Sequence, residues 1–182
     1  MRLTKVLKWC FASVVLGLAP PVAGDTFPGT NGATGADGTY VTGCWNDSGS
    51  VPSELTGHIN YFNGLATDLN LVMGGCDGTT DMRFDDNLTA SNLLGLHTCT
   101  AVGGDFGWTS STSDIECETS TVQINPTVIA TCGLNNSQVR RANWCHESGH
   151  GVGLGHETAC MATGCFTTNV YSTHHIGHLA SY

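Results

Sequence analysis

Eleven residues, His146-Glu147-Ser148-Gly149-His150-Gly151-Val152-Gly153-Leu154-Gly155-His156, constrain this chain more than any other stretch. His146 and His150 are four residues apart. On an α-helix they leave the same face, about 6 Å apart along the axis. Two imidazoles so placed can reach one zinc ion at about 2.0–2.1 Å. Gly153 follows three residues after His150. Glycine accepts the left-handed conformation that ends a helix and reverses the chain, so His156 is predicted to return to the same point. Three histidines with one water make an open site, whereas structural zinc sites are closed by four protein ligands. Glu147, beside the first ligand, is placed to take a proton from that water.

The rest of the chain agrees with an exported globular domain. Its 182 residues suit a single domain, and 40% hydrophobic content excludes a disordered chain. Arg2, Lys5 and Lys8 precede an apolar stretch from Trp9 to Ala19, and Val22-Ala23-Gly24 supplies small residues before Asp25. Residues 1–24 therefore read as a signal peptide, too short in its apolar part for a membrane span. Its removal leaves Arg83, Arg140 and Arg141 against 15 acids, a net charge of −12. A surface of that sign repels phosphate backbones, so nucleic acid is excluded as a partner. Cys10 leaves with the signal, and the remaining eight cysteines predict up to four disulfides in a secreted protein. Their spacing does not choose among the 105 pairings that eight cysteines allow. No CxxC pair occurs, which argues against a zinc-thiolate site.

Pattern along the chain gives a coarse map. Residues 25–38, rich in Gly, Thr and Asp, read as a flexible lead-in. Thr39–Trp45 alternates as a strand, and Pro52-Ser53-Glu54 opens a helix over about 53–67 with Leu55, Ile59, Phe62 and Leu65 on one face. Gly74-Gly75 marks a break. Strands are predicted at Asp81–Asp85, Leu93–Ala101 and Ile115–Ile124, the last ending at Asn125-Pro126. Asn136-Ser137 reads as the cap of a helix reaching Val152, with Val139, Ala142, Cys145, Gly149 and Val152 on its buried face. A short helix is expected within Ser172–Ala180.

The eleven-residue motif, HExxHxxGxxH, resembles that of the metzincins, which are zinc endopeptidases. The resemblance is carried by residues 143–165. It implies His146, His150 and His156 as zinc ligands, Glu147 as general base, and Met161 as the methionine of the tight turn beneath the metal. Met161 follows His156 by only five residues, and Cys160 and Cys165 flank it, so disulfides are expected to pin the turn. Glu157 follows the third histidine as in astacins, but the astacin tyrosine next to the methionine is absent. A matrixin-type cysteine switch is absent too. The pattern, including Tyr171–Tyr182 at the end, is closest to small secreted matrixin-like proteases of microbes.

The resemblance implies an α+β, zincin-like metzincin catalytic domain over residues 39–182. An upper part at 39–156 would hold a mixed twisted sheet, an N-terminal helix and the active-site helix, and residues 157–182 a small C-terminal subdomain. It implies action on protein or peptide substrates; a monomer is the default expectation, and removal of the signal leaves no segment expected to contact a membrane. The edge strand within Leu93–Ala101 would pair with extended substrate. A zinc-containing binding protein without turnover is the alternative.

Other residues read more blandly. His174 and His178 repeat the four-residue spacing, but His175 stands where the glutamate would be, so a solvated helix face is preferred to a second zinc site. His58 and His97 read as lone structural histidines. Asp77 and Asp85-Asp86-Asn87 make Ca2+ a second candidate cofactor, although acidic loops in so acidic a chain need no ligand.

Overall fold

A computed structural model of the protein describes residues 33–36, 40–67, 69–89, 92–102 and 115–180. The predicted signal peptide and most of the lead-in lie outside them. The strands are β1 (Ala33–Ala36), β2 (Tyr40–Trp45), β3 (Asn70–Gly74), β4 (Met82–Asp85), β5 (Gly95–Val102) and β6 (Ile115–Ile124). The helices are α1 (Ser53–Asn63), α2 (Pro126–Ala130), α3 (Asn136–Gly151) and α4 (Thr173–Leu179), with a 3-10 turn at Ala159–Met161. The chain is thus α+β, with a mixed sheet.

The sheet order is β1-β6-β4-β2-β3, with β5 also on β6. β2 pairs in parallel with β3 and β4, and β4 and β1 pair in parallel with β6. β5 alone runs antiparallel, with His97 opposite Val122 and Leu96 opposite Gln123. Among the described strands β5 pairs only with β6, so it forms an edge. A parallel β2–β3 pair needs a crossover, and α1 supplies it. Asn63 at the end of α1 ties the two together: its amide donates to the Leu71 carbonyl and its carbonyl accepts from the Leu71 N–H, both at 2.8 Å.

Helix α3 lies against the sheet through Trp144, which is fully buried. Its indole meets Phe84 of β4 and Trp45 of β2 edge-on, with ring centroids 6.0 and 6.3 Å apart. Burying each such ring contributes roughly 1.5–3 kcal/mol, so this contact fixes where α3 sits. Val139, Ala142, Cys145 and Val152 are buried as the periodicity requires. Asn143, His146, Glu147, Ser148 and His150 are buried as well, so the second half of α3 is enclosed on its polar face too.

Several expectations need correction. The lead-in is not featureless, because Ala33–Ala36 forms β1 on β6. Short, small-residue strands carry almost no alternation, and only tertiary pairing reveals them. β3 is a further unexpected strand: Gly74 at its end reads as a break, yet Leu71 is buried between exposed Asn70 and Val72. Asn125-Pro126 does more than end β6: the Asn125 side chain accepts from the Val128 N–H at 3.1 Å and Pro126 takes the first helical position of α2. The α3 cap is Asn135, whose side chain accepts from the Gln138 N–H at 3.2 Å, one residue before the expected pair. α1 stops at Asn63, four residues short of 67, with Gly64 at its C-cap.

The four disulfides are Cys44–Cys76, Cys99–Cys117, Cys132–Cys165 and Cys145–Cys160. They fit an oxidising environment. No described helix is long and apolar enough to cross a membrane.

Candidate metal centre

α3 presents His146 and His150 side by side, with Nε2 atoms 3.1 Å apart and rings nearly perpendicular at 88°. The helix ends at Gly151, and Gly153 takes φ +84°, the left-handed turn its sequence position predicts. The Leu154 N–H then donates back to the Gly149 carbonyl at 2.8 Å. This closure delivers His156, whose Nε2 lies 3.2 Å from that of His146 and 3.1 Å from that of His150.

The chemistry of this triangle points to a cation. His146 Nδ1 lies 2.9 Å from the Cys160 carbonyl oxygen, and His150 Nδ1 lies 2.8 Å from that of Leu154. Carbonyls only accept, so each Nδ1 carries the hydrogen, and each neutral ring then has a bare lone pair at Nε2. Burial holds both rings neutral at pH 7, pushing His146 down to about 4 and His150 down to about 3. Two lone pairs facing each other at 3.1 Å repel unless something positive sits between them. Ligands at tetrahedral angles around zinc lie about 3.3–3.4 Å apart, close to the observed separations. The donor set therefore fits a zinc-class ion, and among the described residues His146, His150 and His156 are the one group of three or more that could hold a metal.

Glu147 stands beside this triad at a cavity of about 340 Å³. Burial pushes its carboxyl up to about 8, while the His97 backbone N–H, donating to it, pulls the other way. β5 and the residue before it thus line the cavity, through Leu94, Gly95 and His97, and Phe166 lines it too, its ring centroid 5.8 Å from that of His146. A Cβ on Gly95 would collide with the Glu147 carboxylate, so glycine is required where β5 crosses the helix.

Met161 is fully buried against α3, with its sulfur beside Gly149. Any side chain at Gly149, which lies between the two α3 histidines, would strike the Met161 sulfur. The turn is held by the Glu157 N–H to Met161 carbonyl bond at 3.2 Å, with Ala159 at φ +57°. The Cys145–Cys160 disulfide staples it to α3, and Cys132–Cys165 ties the following loop to the end of α2. Tyr171 adds a third brace, its hydroxyl donating to the Cys145 carbonyl at 2.9 Å while its N–H donates to the Tyr61 hydroxyl at 2.7 Å.

Some sequence expectations land elsewhere. His97 is no isolated structural residue: it lines the cavity next to Glu147. Nothing local to Leu96-His97-Thr98 signals this, because the contact depends on β5 crossing α3. Gly95 and Phe166 were also overlooked for that reason. His58 is a fully buried core residue among Tyr61, Phe62 and Tyr171. Asp85 and Asn87 both accept from the Gln123 amide, but among the described residues the acidic calcium candidates form no group of three able to hold an ion. Asp77 accepts from Thr79 within its own turn, whereas Asp85 accepts from Gln123 at 2.9 Å and Asp86 lies 3.9 Å from Arg140.

No protein-family model matches the chain, and no curated protein is significantly similar to it.

Proposed function

We propose that this chain is a secreted, zinc-dependent endopeptidase of the metzincin kind. One observation carries the reading: two anchored histidines aim bare Nε2 lone pairs at a common point with His156, beside a buried glutamate at the floor of a cleft. His146, His150 and His156 would hold the ion. When bound, zinc supplies Lewis acidity to the water and to the scissile carbonyl.

The protein's own groups do the rest. Glu147, kept ionised by the positive charge of an ion in the neighbouring triad, accepts the proton of the attacking water and returns it to the leaving amine, a role worth roughly 10²–10⁴-fold. Its enclosure keeps bulk water from competing for that proton, and the His97 N–H fixes the carboxylate's direction. The edge that β5 leaves unpaired among the described strands offers backbone groups to an extended peptide, which would lie along the cleft as an added strand. Export by residues 1–24 accords with the four disulfides.

The deciding experiment is cleavage of denatured casein by the purified mature chain, beside Glu147→Ala, with and without a zinc chelator. Activity requiring both Glu147 and metal supports the proposal. Bound zinc with no turnover on any protein substrate would favour a binding role, and equal activity in Glu147→Ala would sink the mechanism.

A further inference from the structure

α4 carries a second histidine pair, His174 and His178, at the same four-residue spacing as His146 and His150. Their Nε2 atoms are 3.1 Å apart, their ring centroids 4.5 Å and their planes 90°. The corresponding values for His146 and His150 are 3.1 Å, 4.6 Å and 88°. The two pairs thus agree in all three measures. Neither His174 nor His178 lines the cleft, and neither belongs to the triad.

We propose that His174 and His178 bind a second divalent cation of the imidazole-preferring class, Zn2+ or Cu2+, in an exchangeable site on α4. Three observations support it. The helix is fixed in orientation, because the Ser172 hydroxyl caps it by accepting from the His175 N–H at 3.1 Å, and His175 and Leu179 are fully buried. The adjoining face carries His174 and His178, both half-buried. Holding both rings in place beforehand removes much of the entropy cost of chelation. Finally, the mature chain's net charge of −12 draws cations to its surface. Two protein ligands leave positions for water, so the site binds more weakly than the triad, and Cu2+ binds more tightly than Zn2+ there. This inference does not depend on peptidase activity.

A single N–H···N hydrogen bond between the two rings is the rival explanation of their approach. The test uses the mature chain carrying one equivalent of zinc, titrated with Zn2+ and with Cu2+ by calorimetry. A second equivalent is expected. His174→Ala and His178→Ala should each weaken it by roughly 10–100-fold or more, the loss known for outer-shell partners alone, with the first equivalent unchanged. Cu2+ added to the zinc-loaded wild type should show electron paramagnetic resonance coupling to two imidazole nitrogens, with zinc retained. A single equivalent, a second one indifferent to both substitutions, or Cu2+ uptake matched by zinc release would each overturn the proposal.

Discussion

A Cβ placed on Gly95 would lie 2.5 Å from Glu147 Oε1, and 2.7 Å from Glu147 Cγ. The carboxyl is enclosed, so it cannot swing aside without losing the His97 N–H. Gly95→Ala should therefore displace the general base while leaving the three histidines in place. The expected result is a loss on the order of 10²-fold in kcat/KM, as for other misplacements of about 1 Å, with zinc content unchanged. Peptidase assays with parallel metal analysis check it, and full activity would show that Glu147 has room the structure does not indicate.

Metal removal should cost stability as well as activity. His146 and His150 present facing lone pairs at 3.1 Å, so the emptied triad is repulsive. An ion bound only by the folded state adds about 2.7 kcal/mol at a concentration 100 times Kd. Chelation should lower Tm by several degrees, and restored zinc should return it. An unchanged Tm on full removal of the ion would count against tight binding.

The Cys145–Cys160 bridge links α3 to the turn whose Cys160 carbonyl orients His146. Its loop spans 15 residues. Closing a loop of that size stabilises by about 3 kcal/mol. Cys145→Ala/Cys160→Ala should reduce stability by a comparable amount and weaken zinc binding, because the Nδ1 anchor of His146 loosens. Urea unfolding and zinc competition titrations read the two effects separately.

His58 makes stability depend on pH in a stated direction. Burial, with Arg141 adding to it, pushes the imidazole from 6.5 down to about 3, and neither ring nitrogen has a hydrogen-bond partner. As pH falls below 6.5, the unfolded chain takes a proton that the folded chain refuses, so stability drops by about 1.4 kcal/mol per unit down to about pH 3. Above 6.5 the effect vanishes. His58→Leu should match or exceed wild-type stability at pH 7. Between pH 6.5 and 5 it should be spared about 2 kcal/mol of the wild-type loss. Urea midpoints across that range decide it, and parallel curves would mean that His58 takes up its proton equally in the folded and the unfolded chain.

The eleven-residue motif by itself determined the triad, the helix that carries two of its members and the Gly153 turn that returns the third. All of these are local: a helical repeat, one left-handed glycine and a short reversal fix where three side chains point. The strands at β2, β4, β5 and β6 and helices α1, α3 and α4 were likewise legible, since each has either alternation or a capped apolar stripe. Tertiary structure alone decided the rest. Which of 105 disulfide pairings forms, that Ala33–Ala36 joins the sheet, and that Gly95 and His97 face Glu147 all depend on residues distant in sequence. Packing of Trp144 on Phe84 and Trp45 sets α3 against the sheet, and that placement brings β5 over the glutamate. No periodicity within a single segment encodes such a crossing, because it is fixed by the shapes of two surfaces rather than by either one.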